Sequence, residues 1–309
     1  MRIAQYDRNG PPEVLELVEA ATPESGPGEL VLEIRAAGIN PFDVKQRAGA
    51  YGPVRGVQRT GLDGAGVVAA VGAETDGFAV GDRVVTSGAL GTAATHLLVR
   101  PGHLTPIPDG VDFDRAAAIG VPFGTAYQSL RSLGVGPGDV LLVHGGSGAV
   151  GQAAIQIGRA LGAARIIATG GAGSLERIAA LGAEPVDYAE DVPARVLELG
   201  PVTVVLDAAG TDDAFATVEL LADRSRWATI VAGPRADALG LAAYSGGSAV
   251  PMTSEQHALR REGIREALRM LAEDALDVEI ASVHPLDDIV AAHRAVETHA
   301  ARGKVLLRP

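Results

Sequence analysis

Three glycines that follow a short apolar run are the residues of this sequence with the clearest chemical meaning. Gly146, Gly148 and Gly151 have the spacing G-x-G-x-x-G, and an amphipathic helical pattern covers Val150–Leu161. Glycines at this spacing allow a tight strand-to-helix turn, close approach of the backbone to a pyrophosphate, and close packing of helix on strand. The stretch predicts a dinucleotide-binding loop, and a βαβ unit that binds nothing is the alternative. Its candidate cofactor-binding residues are Gly146, Ser147, Gly148, Ala149, Val150 and Gly151.

The segment after the next predicted strand indicates which dinucleotide would bind. An NAD-binding unit carries an Asp or Glu about 20 residues beyond the first glycine, where it accepts hydrogen bonds from the ribose. Here Arg165–Thr169 is followed by Gly-Gly-Ala-Gly-Ser, and no carboxylate occurs before Glu176. The small neutral loop leaves room for a 2′-phosphate, which Ser174 and Arg177 could bind. We therefore predict NADPH as the cofactor; alternatively, Ser174 caps a helix and Arg177 is a solvated surface residue.

The composition restricts the classes of function. The chain has 309 residues, enough for two domains or one large one, and its 47% hydrophobic and 21% charged residues are typical of a soluble globular protein. A formal net charge of −12 argues against nucleic-acid binding. The absence of cysteine excludes disulfides, thiol chemistry and cysteine-ligated zinc. The sequence has neither a signal-peptide pattern nor a membrane-spanning run, so we expect a cytoplasmic protein without membrane association.

Short strands are predicted in the first third of the chain, and alternating strands and helices beyond it. Such alternation favours a parallel sheet with right-handed crossovers. The predicted strands are Val14–Val18, Leu30–Ile34, Val67–Val71, Arg83–Thr86, His96–Val99, Val140–Val143, Arg165–Thr169, Val202–Leu206, Trp227–Val231 and Lys304–Leu307. The predicted helices are Asp114–Leu133, Val150–Leu161, Ser174–Leu181, Asp213–Leu221, Glu262–Leu271 and Asp287–Ala301.

Motifs along nearly the whole chain resemble those of the zinc-independent medium-chain dehydrogenase/reductases, in the quinone oxidoreductase branch. No single motif is specific, but the set is. The motifs are Ala37-Gly-Ile-Asn-Pro-Phe-Asp43, Gly61-Leu-Asp-Gly-Ala-Gly-Val67, Val80-Gly-Asp-Arg-Val84, Gly124-Thr-Ala-Tyr-Gln128, the glycine loop, Leu181-Gly-Ala183 with Asp187-Tyr188, and Gly303-Lys-Val305.

The resemblance implies an α/β fold in which a Rossmann-type doubly wound parallel sheet is inserted in a GroES-like β-rich catalytic domain. We expect the catalytic domain to comprise residues 1–115 and 245–309, and the NADPH-binding domain residues 116–244. The cleft between the domains would hold the nicotinamide. The family also implies a homodimer formed through edge strands of the nucleotide domain, to which the apolar stretch Leu239–Met252 could contribute.

The resemblance also bears on metal binding. Zinc-dependent relatives ligate a catalytic zinc through a Cys near the position of Asp43 and a His-Glu pair near Leu62 and Asp63, and they carry a four-cysteine structural lobe. Leucine cannot ligate zinc, and Ser87–Thr95 is a short Gly/Ala-containing loop here. We therefore expect no metal. Without a Lewis acid, reduction of an already electrophilic acceptor is favoured over alcohol oxidation.

The resemblance assigns roles on the substrate side. Asn40 matches an asparagine that can hydrogen-bond a carbonyl or quinone oxygen, although it could also be a turn residue before Pro41. Tyr51 lies on a segment expected over the cleft and could donate a proton. Lys45 falls where some quinone reductases have a tyrosine, a departure from the family pattern, and completes the candidate catalytic set. Asp43 is expected to be structural.

On the cofactor side, Thr125 matches a residue near the nicotinamide amide, and Tyr188 matches one beside the adenosine 2′-phosphate. His144, at the end of the first nucleotide-binding strand, is expected to shape the glycine loop. The leading function is an NADPH-dependent reductase that transfers hydride to quinones, enones or related small activated carbonyl compounds without metal. The alternatives are an enoyl-thioester reductase of the same superfamily and a protein that binds NADPH without catalysis, as a redox sensor or structural protein.

Overall fold

Strands prevail at the start of the chain, and strands alternate with helices in its middle. The computed structural model describes residues 1–245, 247–298 and 302–309. The strands are β1 (Arg2–Tyr6), β2 (Glu16–Glu19), β3 (Leu30–Ile39), β4 (Gln58–Arg59), β5 (Asp63–Val71), β6 (Arg83–Ser87), β7 (His96–Val99), β8 (Leu104–Pro106), β9 (Val140–His144), β10 (Arg165–Gly170), β11 (Glu184–Asp187), β12 (Val204–Asp207), β13 (Trp227–Thr229), β14 (Ala242–Ala243), β15 (Ile280–Pro285) and β16 (Lys304–Arg308). The helices are α1 (Pro41–Ala48), α2 (Phe113–Ser132), α3 (Ala149–Ala160), α4 (Leu175–Ala180), α5 (Val192–Leu199), α6 (Asp212–Ala216), α7 (Gly233–Ala238), α8 (Ser254–Ala272) and α9 (Ile289–Glu297).

The first of two units combines both ends of the chain, Met1–Val121 and Ile264–Pro309. Its smaller sheet has the antiparallel order β2-β1-β4, and its larger sheet has the order β15-β16-β3-β5-β6-β8, with β7 also paired to β3. The central strand β3 is almost continuously buried because it has neighbours on both edges. Its Leu32 packs in a buried apolar cluster with Val68, Val84 and Leu307 from neighbouring strands. This sheet fixes the ends of β3, β5 and β16, which carry the polar residues described below.

The second unit, Pro122–Gly263, contains a six-stranded parallel sheet. Its strand order is β11-β10-β9-β12-β13-β14, which is 3-2-1-4-5-6 when counted from β9. This is the order of doubly wound dinucleotide-binding sheets, in which the ligand lies at the carboxyl ends of the strands where the order reverses. The reversal falls between β9 and β12. The predicted Rossmann-type sheet is therefore confirmed.

Several element boundaries differ from the predictions. Strand β3 continues five residues beyond the predicted end at Ile34, and β5 begins at Asp63 rather than Val67. Helix α8 begins at Ser254, eight residues before the predicted start, because its first two turns are polar and lack an apolar period. The C-terminal helix predicted to end at Ala301 ends at Glu297. Of the predicted helix, His299, Ala300 and Ala301 lie outside the described residues.

The helix α1 was not predicted; a turn before Pro41 was only the alternative considered for Asn40. Asn40 caps its first turn, and Asp43 completes a capping box by accepting a hydrogen bond from the Asn40 backbone N–H at 2.8 Å. Gly49 ends the helix in the left-handed conformation, with φ 96°. Local capping chemistry therefore forms a short helix directly after β3.

The units of the structure divide the chain after Val121 and after Gly263. The domain boundaries at 115/116 and 244/245 remain predictions of the sequence analysis. No helix in the described ranges has both the length and the apolar character needed to cross a membrane.

Candidate functional site

The glycine loop of the second unit joins β9 to α3 and is fastened to β10. The Gly146 backbone N–H donates to the Thr169 carbonyl oxygen at 2.7 Å, and the Gly145 N–H donates to Thr169 Oγ1 at 3.0 Å. In this loop the backbone is left-handed at Gly145, with φ 78°. The tight turn was predicted one position later, at Gly146, the first glycine of the motif. The start of the loop is thereby held against the neighbouring strand.

The three motif glycines lack side chains for different reasons. A Cβ on Gly146 would lie 2.7 Å from the Cβ of Ala168, and one on Gly151 would overlap the Gly145 carbonyl oxygen. These two glycines are needed for packing. A Cβ on Gly148 would meet only the Gly145 carbonyl oxygen, at an ordinary 3.6 Å, and Gly148 has φ −76°. The protein's own packing and backbone therefore permit a side chain at Gly148, and its absence keeps that position open.

Helix α3 begins immediately after this open position. Gly148 occupies its N-cap and has no side chain to accept from the first-turn amides, and no acidic residue lies in that turn. The amides of Ala149, Val150 and Gly151 and the positive end of the helix dipole are thus left for an anion. Ser147 is half-buried beside them, and its carbonyl oxygen accepts from Gln152 Nε2 at 3.0 Å.

The carboxyl end of β10 has small, neutral residues. Ser174 is buried, and its hydroxyl donates to the Gly171 carbonyl oxygen at 2.8 Å rather than capping α4. The Tyr188 ring is 65% exposed, and a Cβ on Gly171 would lie 2.8 Å from its hydroxyl oxygen. The Tyr188 backbone N–H donates to Gly170 at 3.0 Å. The structure thus brings Ser174 and Tyr188, two predicted site residues, to the same strand end.

Arg177 lies on α4 and is tied to the helix that follows the glycine loop. Its Nε and Nη2 atoms each donate to Gln152 Oε1 at 3.1 Å. Because Gln152 also donates to the Ser147 carbonyl oxygen, a chain of hydrogen bonds joins the guanidinium to the loop. Arg177, the predicted phosphate-binding cation, therefore contacts α3 through Gln152, and Gln152 in turn contacts the glycine loop.

His144, at the end of β9, is buried and neutral. Burial lowers the pKa of its imidazole to about 4, although the nearby Asp207 carboxylate opposes the shift. The Thr217 hydroxyl donates to Ala214 at 2.7 Å, so at 3.0 Å it accepts from His144 Nε2–H. Hydrogen bonding thus places the imidazole proton on Nε2. His144 directly precedes Gly145 in the chain, and its role in shaping the loop stays a prediction.

Asp207 ends β12, directly beside His144 in the sheet. Its carboxylate accepts hydrogen bonds from the backbone N–H groups of Ala209 and Gly210, both at 2.8 Å, and from Thr229 Oγ1 at 2.7 Å. These bonds fix the turn after β12. The strand ends on both sides of the order reversal are therefore held rigidly.

In the first unit, a buried polar cluster surrounds Asp63 at the start of β5. Lys304 Nζ, from β16, lies 2.8 Å from Asp63 Oδ2, and both side chains are buried. Ser87 Oγ donates to Oδ1 at 3.1 Å, and the Val121 backbone N–H donates to both carboxylate oxygens at 2.9 and 3.0 Å. Four donor groups, including one from Asn40, thus satisfy the Asp63 carboxylate.

Asn40 belongs to the same cluster. Its Nδ2 donates to Asp63 Oδ2 at 3.0 Å, and its Oδ1 accepts from Lys304 Nζ at 2.5 Å. The second N–H of Nδ2 has no acceptor in the part of the chain that the structure describes. The predicted substrate-binding amide is therefore also part of a buried hydrogen-bond network.

Asp43 lies one helical turn beyond Asn40 and is fully buried. Burial raises the pKa of its carboxyl to about 6, partly offset by the hydrogen bond from the Asn40 backbone N–H. Its Oδ1 atom has no hydrogen-bond partner among the described residues. The position of Asp43 in the capping box agrees with the structural role expected for it.

Tyr51 and Lys45 lie on or just after α1, near the helix that Asn40 begins. The Tyr51 ring stacks on Phe42, with centroids 5.2 Å apart and planes at 26°. Both rings are about two-fifths exposed, and burial raises the pKa of the Tyr51 hydroxyl. Lys45 is exposed. Of the candidate catalytic residues, only Asn40 is buried, whereas Tyr51 and Lys45 face solvent in the described structure.

Thr125 lies on α2 in the second unit and is buried.

Sequence reasoning missed the Lys304–Asp63 contact, because these residues are far apart in the chain and meet only through the pairing of β16 with β3 and of β3 with β5. The signal that could have found it is the lysine within the Gly303-Lys-Val305 motif, on an otherwise apolar strand, where a buried cation requires a partner.

Comparisons with known proteins define the family. Residues 26–109 match the alcohol dehydrogenase GroES-like domain, and residues 181–307 match the zinc-binding dehydrogenase model. Human quinone oxidoreductase is 30% identical over 325 residues, which cover 99% of this chain and 97% of that protein. The Escherichia coli quinone oxidoreductase complexed with NADPH has a TM-score of 0.87 and 27% identity, with 100% of both chains covered. A phenolphthiocerol/phthiocerol polyketide synthase of Mycobacterium tuberculosis is 30% identical over 98% of this chain and 14% of that protein.

The chain therefore belongs to the quinone oxidoreductase-type medium-chain dehydrogenase/reductases. Its first unit contains the GroES-like domain of this family, and its second unit contains the parallel Rossmann-type sheet. The predicted family and fold class are confirmed, and the protein is an oxidoreductase.

Proposed function

We propose that this protein is an NADPH-dependent reductase of quinones, enones or related activated carbonyl compounds that works without a metal. The observation that carries the cofactor assignment is the open position at Gly148. Nothing in the fold requires glycine there, but a dinucleotide pyrophosphate that approaches the first turn of α3 does. A solved relative that aligns with this chain over 100% of both chains was complexed with NADPH, which supports the same assignment.

NADPH is preferred over NADH because the carboxyl end of β10 carries no carboxylate. An acidic side chain there would bind the ribose hydroxyls of NADH and repel a 2′-phosphate. Residues Gly170–Ser174 are neutral, and the Tyr188 ring lies beside them. We propose that Ser174, Tyr188 and the Arg177 guanidinium receive the 2′-phosphate.

The donor set argues against a catalytic zinc, despite the name of the matched dehydrogenase model. The chain has no cysteine, and position 62 is leucine. The Asp63 carboxylate is already saturated by the Lys304 ammonium and three other donors. Within the described residues, no three His, Cys, Asp or Glu side chains are grouped as a metal ion requires. These side chains do not fit zinc.

When bound, the reduced nicotinamide supplies a hydride, and the protein supplies binding and orientation. Asn40 donates its remaining Nδ2–H to the substrate oxygen and holds it in place. Tyr51 or a water molecule delivers the proton that completes the reduction. Phe42 stacks on Tyr51 and limits the positions that the phenol can take.

Cofactor titration tests the first part of this proposal. NADPH should bind the purified protein at least tenfold more tightly than NADH, measured by cofactor fluorescence. Equal affinities, or no change with either nucleotide, would remove the cofactor assignment. For the second part, Asn40→Ala should lower turnover of a reactive enone, and unaltered turnover would remove Asn40 from the mechanism.

A second candidate is reduction of enoyl thioesters. It is favoured by the similarity of nearly the whole chain to one segment of a polyketide synthase. The two candidates differ in the acyl carrier, so NADPH oxidation with short enoyl thioesters, compared with simple enones and quinones, separates them. Tight NADPH binding without turnover of any of these acceptors would instead favour a non-catalytic NADPH-binding protein.

A further inference from the structure

The buried ion pair of Asp63 and Lys304 lies against the one side-chain amide to which the proposed mechanism gives a role. Lys304 Nζ contacts both Asp63 Oδ2, at 2.8 Å, and Asn40 Oδ1, at 2.5 Å, while Asn40 Nδ2 donates to the same Asp63 oxygen at 3.0 Å. The three groups form a closed triangle of hydrogen bonds. Asp63 and Lys304 are almost completely buried.

This triangle leaves the Asn40 amide only one orientation. An ammonium can only donate, so the amide oxygen must face Lys304. A carboxylate can only accept, so the amide nitrogen must face Asp63. An amide flip would set Nδ2 against the ammonium and Oδ1 against the carboxylate, and both contacts would be repulsive.

The triangle also changes the donor strength of Asn40. A positive charge hydrogen-bonded to an amide oxygen draws electron density from the nitrogen, and linked hydrogen bonds polarise one another in a low-dielectric interior. The remaining Nδ2–H, which has no acceptor in the described part of the chain, becomes a stronger donor. A stronger donor stabilises negative charge that develops on a bound oxygen.

The surrounding backbone leaves space for this pair. A Cβ on Gly38 would lie 2.5 Å from Lys304 Cε and 2.8 Å from the Ala117 carbonyl oxygen. A Cβ on Gly120 would overlap Asp63 Oδ1. Two glycines on different elements thus accommodate the lysine stem and the carboxylate.

We propose that Lys304 and Asp63 are positioning residues that lock and polarise the Asn40 amide toward the substrate oxygen. The inference rests on the proposed function in one respect, the role of Asn40. Lys304 does not touch the substrate. Its fixed ammonium acts through Asn40, as an internal cation in a cluster that cannot hold zinc.

The test uses three variants. Lys304→Met removes the charge and keeps most of the side chain. Asp63→Asn with Lys304→Met removes both charges, so that no unpaired charge is buried and folding is retained. Arg226→Gln is the matched control, because it breaks a different ion pair, Asp139–Arg226, in the second unit.

Lys304→Met and the double variant should lower kcat for an enone about 10- to 100-fold, as expected for a misplaced reacting group, while the Kd for NADPH is unchanged. Arg226→Gln should have the same kcat as the wild type when both are assayed below the melting temperature of the variant. If Lys304 and Asp63 had only a structural role, the double variant would regain the melting temperature and the kcat that Lys304→Met loses. That recovery would overturn the proposal.

Nuclear magnetic resonance supplies a readout that does not depend on turnover. Asn9 and Asn40 are the only asparagines of the chain, so selective ¹⁵N labelling of asparagine side-chain amides gives two NH₂ groups. Lys304→Met should shift the Asn40 amide signals and leave those of Asn9, which donates to the carbonyls of Gln46 and Arg47, unchanged. Unmoved Asn40 signals would overturn the proposal.

The failures are distinguishable. If the wild-type protein reduces no quinone or enone, the proposed function fails, and the amide signals still show whether Lys304 fixes Asn40. If Asn40→Ala lowers kcat but the double variant does not, the positioning role alone fails.

Discussion

Gly148 and Gly151 belong to one motif but lack side chains for different physical reasons. Gly151 is required by contact with the Gly145 carbonyl oxygen, whereas Gly148 has open space and a backbone conformation that any residue can adopt. We propose that the constraint at Gly148 is the approach of a bound pyrophosphate. The distinction separates a packing constraint from a binding constraint within four residues.

This distinction predicts opposite effects of two alanine substitutions. Gly148→Ala should lower the melting temperature by no more than about 3 °C, because the loss of the N-cap preference for glycine over alanine costs only on the order of 1 kcal/mol. It should raise the Kd for NADPH at least tenfold. Gly151→Ala should lower the melting temperature substantially. Calorimetry and fluorescence titration check both, and an unaltered NADPH affinity in Gly148→Ala would contradict the assignment of this loop.

The buried Asp43 carboxyl should make the free energy of unfolding depend on pH. Because burial raises the pKa of its carboxyl to about 6 from the ordinary 3.8, the folded protein binds the proton more tightly than the unfolded chain. Its contribution to the free energy of unfolding therefore falls as the pH rises from about 4 to about 6. Asp43→Asn keeps an acceptor for the Asn40 N–H and removes this slope.

Urea unfolding at several pH values between 4 and 7 measures the effect. The free energy of unfolding of Asp43→Asn minus that of the wild type should increase from pH 4 to pH 6 and then level off. A difference that is flat or decreases over this range would show that the carboxyl is not perturbed in the folded protein.

At the scale of elements, the parallel sheet was predictable because buried parallel strands are apolar runs with glycine turns between them. Strand β3 was predicted too short, since Ala37 and Gly38 are weak strand formers that are held by pairing with β5 and β16. The glycine loop was predictable from local spacing. The Asp63–Lys304 pair was not, because tertiary pairing alone brings its members together.

An ion pair between Asp139 and Arg226, here called the clasp, lies at the start of the parallel sheet. Arg226 donates to Asp139 Oδ1 at 2.7 Å and to Oδ2 at 3.0 Å, and also to the carbonyl oxygens of Leu133 and Gly134. The Arg226 hydrogen bond is the main reason that the pKa of Asp139 is lowered to about 2. The clasp joins the end of α2 to the starts of β9 and β13.

Arg226→Gln should therefore reduce the free energy of unfolding at pH 7 by about 1–3 kcal/mol, given that the pair is partly exposed. A double-mutant cycle with Asp139→Asn isolates the coupling. If the two substitutions were additive, the clasp would not stabilise the protein.

At the scale of the whole molecule, we predict a homodimer formed through the edge strand β14 of the parallel sheet. Leu239 and Val250, which flank this strand, are 52% and 67% exposed, and exposed apolar residues beside a sheet edge favour self-association. The predicted stretch Leu239–Met252 also includes Gly246, which lies outside the described residues. Light scattering should give twice the chain mass at micromolar concentration. Leu239→Asp with Val250→Asp should give the monomer, and a monomeric wild type would contradict the prediction.

Metal-free hydride transfer from NADPH to an activated carbonyl compound is tested most directly by following NADPH oxidation with a panel of quinones and enones. The protein is first dialysed against a chelator and checked for zinc by mass spectrometry. We expect turnover of at least one acceptor, undiminished by chelation, and at least tenfold higher kcat/KM with NADPH than with NADH. Activity that disappears on chelation and returns with zinc, or turnover that prefers NADH, would contradict a metal-free NADPH-dependent reaction.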